Sequence, residues 1–299
     1  MIDVERLLIL REVARAGSKA GAARALGLAE PTVAHHLGAL ERRAGVPLTA
    51  RHGRVTRLTP AGEALLEHAE AIATSLASAE RALQAHADLG TGRLRIASFT
   101  SFCAVTLPAP LAQFARRYPG IEAGLVETET DDALALLEAG EVDLVIGFAD
   151  DVTPPPAHLP IRWLDHDEYL AVLPATHPLA RRETVDIAAL AEETWISGCQ
   201  RCRAHLQALA HAGGFEPQIA FQTEDYVTVQ RLVAERLGVA ILPRMALAAS
   251  PEVAGIVTVA TAPTSFREVF LALPREATPA ATAFAELLAP GGTGSVKGR

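Results

Sequence analysis

Apolar residues recur at helical spacing through the N-terminal part of the chain and predict three helices. The first covers residues 4–16 and carries one apolar stripe made of Val4, Leu7, Leu8, Leu10, Val13 and Ala14. Gly17 ends this helix, and Ser18 is suited to cap a second helix over Lys19–Leu26. The third predicted helix covers Glu30–Ala44, so three short helices follow one another with tight turns between them.

A short alternating stretch follows the third helix. Residues 51–58 predict a basic β-hairpin whose turn lies at His52-Gly53. Two short helices joined by a Gly-containing turn and followed by a basic hairpin form a winged helix-turn-helix. We therefore expect residues 1–58 to be a DNA-binding domain that places the helix Glu30–Ala44 in the major groove.

A long amphipathic helix is predicted over residues 59–90, beginning at Thr59-Pro60. Its apolar residues alternate spacings of four and three, the pattern of a coiled coil: Leu65, Ala69, Ile72, Leu76, Ala79 and Leu83. One interpretation is a helix packed on its own domain. The other is a linker that pairs two subunits, which we favour because a long helix between two domains has little surface of its own chain to cover.

From Gly92 onward, strand-like and helix-like segments alternate, which is typical of α/β domains. A first group of predicted strands is RLRIAS (93–98), IEAGLVE (121–127) and DLVIGF (143–148), with helices ending near residue 118 and over 131–139. A second group is YLAVLP (169–174), TWIS (194–197), IAFQT (219–223) and GVAILP (238–243), with helices over 199–212 and 227–236. EVFLALP (268–274) and a helix over 280–289 are expected to return to the first group.

These segments predict a two-lobed α/β domain over residues 91–290. Lobe 1 would cover about 91–162 and 267–290, lobe 2 about 163–266, and the Gly-rich tail 291–299 would be flexible. The fold class is therefore α+β overall: a winged helix-turn-helix, a long linker helix and a two-lobed α/β domain.

The charge is divided between the two ends of the chain. The net charge is −8, but residues 1–62 hold ten basic and five acidic residues, a charge of +5, and the remainder carries −13. A basic head on an acidic body concentrates the attraction for phosphate in one place. The segregation supports DNA binding by the head, although charge asymmetry between halves of a chain is common.

The run GSKAGAARALGLAEPTVAHHLGALERRAGVPLTARHGRVTRLTPAG resembles the DNA-binding domain of LysR-type transcriptional regulators. The matching positions are Gly17, Ser18, Ala22, Ala23, Leu26, Pro31, Val33, Leu37, Leu40, Glu41, Gly45, Leu48, Arg51, Leu58, Thr59 and Gly62. Three departures affect DNA recognition or packing. Ala29 replaces the usual Ser and cannot cap the groove helix, Glu30 replaces Gln, and Thr49 replaces Phe under the wing.

We expect the DNA contacts to come from two elements of this head. The groove helix would contribute base contacts through Thr32, His35 and His36, and the wing would contribute phosphate contacts through basic side chains. The full set of candidate DNA-binding residues is Ser18, Lys19, Glu30, Thr32, His35, His36, Arg51, Arg54 and Arg57.

The C-terminal part resembles the effector domain of the same regulators, which is similar to type 2 periplasmic binding proteins. The segments that carry the resemblance are LPAPLAQFARRYPG, LLEAGEVDLVIGF, LPATHPLA and RLVAERLGVAILP. Ligands of such sheets lie beyond the carboxyl ends of strands, near helix N-termini. The candidate effector-binding residues at these positions are Ser98, Thr100, Ser101, Thr128, Thr130, Phe148, Ser197, Gly198 and Cys199.

The resemblance also implies an assembly and a set of partners. It implies a homodimer through the linker helix and a homotetramer through contacts between effector domains. The expected partners are double-stranded operator DNA and a small-molecule effector, with RNA polymerase as a further candidate. We expect no cofactor and no metal.

The cysteine pair Cys199 and Cys202 follows a strand and opens a helix, where the helix dipole, Arg201 and Arg203 would lower a thiol pKa. Three interpretations are open: structural or ligand-pocket cysteines, a redox switch, and a metal site with His205 that lacks a fourth ligand. Peroxide-sensing relatives carry a reactive cysteine early in the same helix, with a disulfide partner further along. We favour the first interpretation.

Other classes of function have little support in the sequence. It contains no G-x-S-x-G, Walker loop, H-E-x-x-H or glycine-rich dinucleotide turn, so an enzyme is not expected. A solute-binding protein for uptake would need an export signal and no basic head. We find no signal peptide and no apolar segment long enough to span a membrane, and we expect a cytoplasmic protein. The acids Asp165, Asp167 and Glu168 are interpreted as a solvated surface stretch.

Overall fold

A computed structural model describes residues 3–52, 55–84 and 89–288 of the chain. The chain divides near Leu83 into two compact units. None of the described helices is long and apolar enough to cross a membrane. The two units, a head with its linker helix and a C-terminal α/β domain, are described in turn.

The head contains three helices and a two-stranded wing. Its elements are α1 (Val4–Ala16), α2 (Lys19–Leu26), α3 (Glu30–Ala44), β1 (Thr49–His52) and β2 (Val55–Leu58). The three helices end at Gly17, Gly27 and Gly45, each in the left-handed conformation with φ of 62° to 72°. Because glycine adopts this conformation without a Cβ clash, each turn is as tight as the sequence predicts.

The wing is attached to the groove helix α3 by one carboxylate. Glu41 Oε1 accepts hydrogen bonds from the backbone N–H groups of Leu48 and Thr49, each at 3.0 Å. It also accepts a hydrogen bond from the Thr49 hydroxyl at 3.1 Å. The resemblance implies Phe at the position of Thr49, and the Thr49 hydroxyl instead contributes a hydrogen bond at the base of the wing.

Helix α4 (Pro60–Gln84) begins where the sequence predicts. Its first turn is capped by Thr59, whose Oγ1 accepts the Gly62 N–H at 3.1 Å. A Cβ on Gly62 would lie 2.0 Å from the Leu48 carbonyl oxygen, so only glycine allows this close approach of the helix to the wing. This close approach explains why glycine stands at position 62 of the sequence motif.

The two halves of α4 have different environments. Ala69 is fully buried in the core of the head, and Leu65 and Ile72 pack against that core. Leu76 and Leu83 are 42% and 75% exposed. The interpretation of the whole heptad as a dimer seam is thus wrong for Ala69, because the head already covers this side chain, and the head covers Leu65 and Ile72 in part. It stays a prediction for Leu76 and Leu83.

Lobe 1 of the α/β domain has a mixed sheet in the order β4-β3-β5-β12-β6. Strand β3 pairs in parallel with β4 and β5, and β12 pairs antiparallel with β5 and β6. The elements are β3 (Gly92–Ser98), α5 (Thr100–Val105), α6 (Pro108–Arg117), β4 (Ile121–Glu127), α7 (Thr130–Glu138), β5 (Leu144–Ala149), β6 (Ile161–Pro174), β12 (Phe266–Ala272) and α11 (Pro279–Leu287).

Lobe 2 is built on the second half of β6, which pairs antiparallel with β10 and β11. Strand β11 pairs in parallel with β7, and β8 pairs in parallel with β9. The elements are β7 (Thr184–Asp186), a 3₁₀ helix (Ile187–Leu190), β8 (Thr194–Ser197), α8 (Gln200–Ala212), β9 (Gln218–Gln222), α9 (Tyr226–Ala234), β10 (Ala240–Pro243), α10 (Arg244–Ala248) and β11 (Ile256–Ala262).

The elements β7, β11, α10 and the 3₁₀ helix were not predicted from the sequence, and two further features differ from the prediction. The helix expected to run to Tyr118 is divided into α5 and α6, because Pro108 starts a new helix after Leu107. Strand β6 begins at Ile161 rather than near residue 169. It pairs with β12 up to Glu168 and with β10 from Tyr169, so the chain passes between the lobes there, beyond the boundary expected near 162.

The largest apolar core of the domain joins both lobes. Its lobe 1 members include Phe99, Phe102 and Phe148, and Cys199 and Cys202 join it from helix α8 of lobe 2. The first turn of α8 therefore lies against lobe 1, at the carboxyl ends of the lobe 1 strands.

Candidate functional site

The groove helix α3 presents two different faces. Val33, Leu37 and Leu40 are buried in the core of the head. Glu30 and His35 are exposed and Thr32 is half-buried. These three candidates therefore lie away from the core, where a DNA-contacting residue has to lie.

His36 and Ser18 have more restricted surroundings. His36 is half-buried, and its Nδ1 has no hydrogen-bond partner among the described residues. The Ser18 hydroxyl accepts the Gly21 N–H at 3.0 Å and so caps α2, which leaves only its own O–H free to donate to a phosphate. Lys19 is half-buried at the start of α2.

The wing is described in part. Arg57 is exposed on β2, opposite Ala50 of β1. Arg54 lies outside the described residues, and Arg51 is described only through its backbone in β1. At the start of α3, Ala29 makes no side-chain cap, as the sequence predicts. The groove helix therefore lacks one of the hydrogen bonds that usually hold a helix N-terminus.

The centre of the α/β domain is a buried arginine that the sequence analysis did not select. Arg267 on β12 is 0% exposed. Its guanidinium lies against two neighbouring aromatic rings, with Cζ 4.7 Å from the centroids of both Phe99 and Phe148, which are themselves 5.1 Å apart. Its Nη2 donates to Ser101 Oγ at 2.7 Å, so a candidate hydroxyl and a candidate aromatic wall both contact it.

Arg267 is paired with Asp167. Its Nε and Nη2 lie 2.9 Å and 2.8 Å from Asp167 Oδ2, and Asp167 Oδ1 accepts the Met245 N–H at 2.9 Å. Asp167 is 4% exposed, so the interpretation of this residue as part of a solvated surface stretch is wrong. Its carboxylate is buried because it is the counter-charge of a buried guanidinium. Asp165 is exposed, and Glu168 pairs with Arg244.

Four buried hydroxyls of this domain have no hydrogen-bond partner among the described residues: Ser98, Ser197, Tyr169 and Thr261. Ser98 ends β3 of lobe 1, and Ser197 ends β8 of lobe 2. Tyr169 lies where β6 enters lobe 2, and burial raises the pKa of its phenol well above the usual value. Buried polar atoms of this kind usually have a partner, so Ser98 on lobe 1 and Ser197 on lobe 2 each have room for a hydrogen bond to a water or a ligand.

Three further candidates, Thr100, Thr128 and Thr130, form hydrogen bonds within lobe 1. Thr100 Oγ1 donates to Glu127 Oε1 at 3.0 Å, and Thr130 Oγ1 accepts the Phe148 N–H at 3.3 Å. The Thr128 N–H donates to the carbonyl of Ser98 at 3.0 Å. The structure thus brings Ser101, Phe148 and Cys199 into one core, whereas the Thr100 and Thr130 hydroxyls bond within lobe 1.

The first turn of α8 holds the two cysteines against each other. Cys199 is the N-cap of the helix, Cys202 follows one turn later, and their Sγ atoms are 3.0 Å apart. A Cβ on Gly198 would lie 3.3 Å from Cys202 Cβ, so the second cysteine packs closely against the backbone of Gly198.

The two thiols have opposite pKa shifts. The hydrogen bond that the Cys199 thiol donates lowers the pKa of Cys202, burial opposes this, and the Arg267 guanidinium lowers it further. The same hydrogen bond and burial raise the pKa of Cys199. Burial raises the pKa of Glu129, and the neighbouring Cys199 thiol acts in the opposite direction. The expectation that Arg201 supplies the positive charge is wrong, because its guanidinium is bound elsewhere.

Arg201 binds lobe 1. Its Nη2 and Nε lie 2.6 Å and 3.1 Å from the two carboxylate oxygens of Asp131, and its Nη1 donates to the carbonyls of Phe148 and Thr153. His205, one turn further, also contacts lobe 1. Its Nδ1 is 3.0 Å from Asp150 Oδ2 and its Nε2 is 3.3 Å from Ser265 Oγ, so both ring nitrogens are engaged.

The alternation of side chains between the two faces of a β-strand could have identified Arg267 from the sequence. In the strand Phe266–Ala272, residues 267, 269 and 271 share one face, and Val269 and Leu271 belong to the main core. Burial of a single basic residue on that face costs free energy of folding, so such a residue is expected to be paired with an acid or to have a function. Its partner Asp167 lies 100 residues earlier in the chain, and no local pattern indicates that pairing.

A DNA-binding head joined to a two-lobed α/β domain defines a ligand-responsive transcriptional regulator. Residues 4–63 match the model of the bacterial regulatory helix-turn-helix protein, lysR family. Residues 87–292 match the LysR substrate binding domain. The chain therefore belongs to the LysR family: it is a DNA-binding transcriptional regulator with an effector-binding domain.

Known regulators agree with this assignment. The probable regulator LrrA from Synechococcus elongatus is 32% identical over 255 residues, 85% of each chain. MetR from Escherichia coli is 31% identical over 245 residues, 81% of this chain and 75% of MetR. In fold, the chain is similar to full-length OxyR from Pseudomonas aeruginosa (22% identity, 96% and 93% covered, TM-score 0.67). It is also similar to CbnR complexed with its target DNA (23% identity, 96% and 98% covered, TM-score 0.62).

Proposed function

We propose that the effector of this regulator is a small polar or anionic metabolite that binds between the lobes, next to Arg267. The observation that carries the proposal is the set of buried hydroxyls without partners on both lobes, Ser98 and Ser197 above all. An oxygen-rich ligand would accept hydrogen bonds from these hydroxyls. We propose no cofactor in addition to this effector.

The N-terminus of a helix favours an acidic group on the ligand. Arg267 is neutralised by Asp167, and both are buried, so this pair adds little net charge to the site. The N-terminus of α8 points at the same core and favours negative charge. Phe99 and Phe148 would form the apolar walls against the body of the ligand.

Binding at this position gives a route to regulation. The core contains residues of both lobes, so a ligand that fits only one arrangement of the lobes favours that arrangement. We propose that this changes how two DNA-binding heads meet an operator. Two heads imply a homodimer, for which the exposed Leu76 and Leu83 of α4 are the proposed contacts. Tetramers and contacts with RNA polymerase are further proposals.

The test is a thermal-unfolding screen of the full chain against acetate, malonate, succinate, benzoate, inorganic phosphate and sulfate. A compound that binds the folded state at 100 times its Kd stabilises it by about 2.7 kcal/mol. We expect at least one carboxylate to stabilise the wild type and to lose this effect in Ser197→Ala. The control Thr258→Val removes an exposed hydroxyl of β11 and should keep it. If every stabilising compound acts equally on Ser197→Ala, the proposed site is wrong.

A second candidate function is a redox response of Cys199 and Cys202, favoured by their Sγ separation of 3.0 Å. A disulfide needs about 2.05 Å, so a small movement is sufficient. One hydrogen peroxide would take two electrons and two protons from the thiols and leave a disulfide and two waters. Peptide mapping after peroxide treatment should then find the Cys199–Cys202 disulfide and leave Cys103 as a thiol. Unchanged thiols after treatment would rule this function out.

A further inference from the structure

A groove of about 850 Å³ lies on the α/β domain where the chain crosses between the lobes. Lobe 1 contributes the loop after β5 together with Trp163, His166 and Glu268, and lobe 2 contributes His205 and Leu209 of α8. The crossover segment 263–266 lies between these contributions. None of the residues assigned to the effector site lines this groove, so it is a separate feature of the domain.

Two aromatic side chains of the groove are unusually exposed for their size. Trp163 is 48% exposed and Phe266 is 47% exposed, and Val152 beside them is 44% exposed. Large apolar side chains that line a concave surface from neighbouring strands are typical of binding sites. Trp163 is held in place by an edge-to-face contact with Phe270, 6.1 Å between ring centroids.

The permanently charged groups of the groove are acidic, and two histidines, His166 and His205, lie among them. Three carboxylates line it, those of Asp150, Asp151 and Glu268, and no Lys or Arg is found among its described lining residues. Asp150 pairs with the buried His205. Glu268 pairs at 2.8 Å with His166, whose side chain is 71% exposed, so this contact is open to competition. Asp151 is exposed at the rim.

We propose that this groove binds an organic cation, a small molecule with a protonated amine or quaternary ammonium on an apolar body. The carboxylates of Asp151 and Glu268 would attract the cation. The faces of Trp163 and Phe266 would bind it through cation–π contact and cover its apolar part. The groove volume falls within the range of small-molecule sites.

The position of the groove gives such a ligand a regulatory role. His205 lies at its base and joins α8 of lobe 2 to Asp150 of lobe 1 and to Ser265 of the crossover. The His205 ring is also stacked on Tyr169, 4.1 Å between centroids. A bound cation would therefore contact both lobes at the point where they are joined, and would favour one interlobe arrangement.

The test uses the fluorescence of the full chain and three probes with the same phenethyl body: 2-phenylethylamine, 2-phenylethanol and phenylacetate. The protein has two tryptophans, Trp163 in the groove and Trp195, which is 0% exposed. We expect a saturable change in emission with the amine. Binding of the alcohol should be about tenfold weaker and that of phenylacetate weaker still, because only the amine offers a positive charge.

Single substitutions in the groove and outside it test whether the amine binds in the groove. Glu268→Gln and Asp151→Asn should each weaken amine binding by about fivefold, because each removes one attracting charge from a partly exposed site. Glu192→Gln removes an exposed carboxylate outside the groove and should leave binding unchanged. Trp163→Phe should abolish the fluorescence change while calorimetry still detects the amine, since the phenyl ring keeps an aromatic face.

Three results would overturn the proposal: equal affinity for the three probes, amine binding that is insensitive to Glu268→Gln, or no saturable binding by calorimetry up to about 10 mM. The proposal is independent of the effector site. Ser197→Ala should bind the amine as the wild type does, so failure at one site is distinguishable from failure at the other.

Discussion

Arg201 of lobe 2 and Asp131 of lobe 1 form a bidentate ion pair, in which Nη2–Oδ1 is 2.6 Å and Nε–Oδ2 is 3.1 Å. The arginine is 8% exposed, whereas the carboxylate is 71% exposed. Loss of the ion pair should therefore cost more when the buried arginine is left without a partner than when the exposed carboxylate is. The same guanidinium serves the carbonyls of Phe148 and Thr153, so it joins α8 to three places in lobe 1.

We predict that Arg201→Met destabilises the domain more than Asp131→Asn. The methionine leaves two carbonyl groups without their donor, at about 1–3 kcal/mol each when buried. Asparagine keeps an acceptor for the arginine at an exposed position. Urea unfolding of both variants measures the difference. Equal unfolding midpoints would show that the pair with Asp131 is the only contact that matters.

The lowered pKa of the Asp150 carboxyl predicts how the free energy of unfolding depends on pH at acid pH. Burial acts to raise its pKa, but hydrogen bonds from His205 and Thr153 prevail and lower it to about 2. An aspartate of the unfolded chain has a pKa of about 3.9. Because the folded value is the lower one, the stabilisation is complete above the unfolded pKa and is lost as the pH falls from about 4 to about 2.

We expect Asp150 to contribute on the order of 1–2 kcal/mol of this acid-sensitive stability. The free energy of unfolding, measured between pH 5 and pH 2.5, should fall less steeply in Asp150→Asn than in the wild type. Asp186→Asn, at the start of the 3₁₀ helix, is the matched control. The same slope for wild type and Asp150→Asn would contradict the pKa direction.

The wing predicts a salt dependence of DNA binding. Arg57 is exposed on β2, in the position of a phosphate contact. Arg57→Ala should weaken binding to specific and non-specific DNA alike and reduce the slope of log K against log salt by about 0.9. Arg182→Ala, an exposed arginine of lobe 2, should leave the slope unchanged. A change of preferred operator in Arg57→Ala would mean that the wing reads bases.

The exposed end of α4 predicts an assembly. Leu76→Asp places a charge at the proposed contact between two subunits and should yield monomers in sedimentation at micromolar concentration. Ser75→Asp adds the same charge one position away, on an exposed residue outside the heptad, and should remain a dimer. If Leu76→Asp sediments as the wild type does, the contact lies elsewhere.

The local patterns of the sequence predicted local structure well. The cap Ser18, the terminating Gly17 and Gly27 and the proline that opens α4 each lie where they were expected, because each acts within one turn of its own backbone. Local patterns also explain why β6 was predicted to begin near residue 169 and not at Ile161. It continues into two sheets, and its first half contains the charged residues 165–168, which a local reading assigns to the surface.

The candidate site was predicted less well than the fold. Ser101, Phe148 and Cys199 do meet in the core, but the residue that joins them, Arg267, was missed. Its charge is tolerated only because Asp167 and two aromatic rings surround it, and these come from distant parts of the chain. The dimer seam was overestimated for a similar reason, since the head of the same chain covers Ala69.

The most direct test of the effector site is hydrogen–deuterium exchange of the full chain, with and without the carboxylate that stabilises it most. Amides of a ligand-ordered segment exchange more slowly. We predict slower exchange at residues 98–103 and 197–205, which include the first turns of α5 and α8, with no comparable change at the crossover 263–266. Slower exchange at the crossover alone, or none at either strand end, would contradict a ligand bound between the lobes next to Arg267.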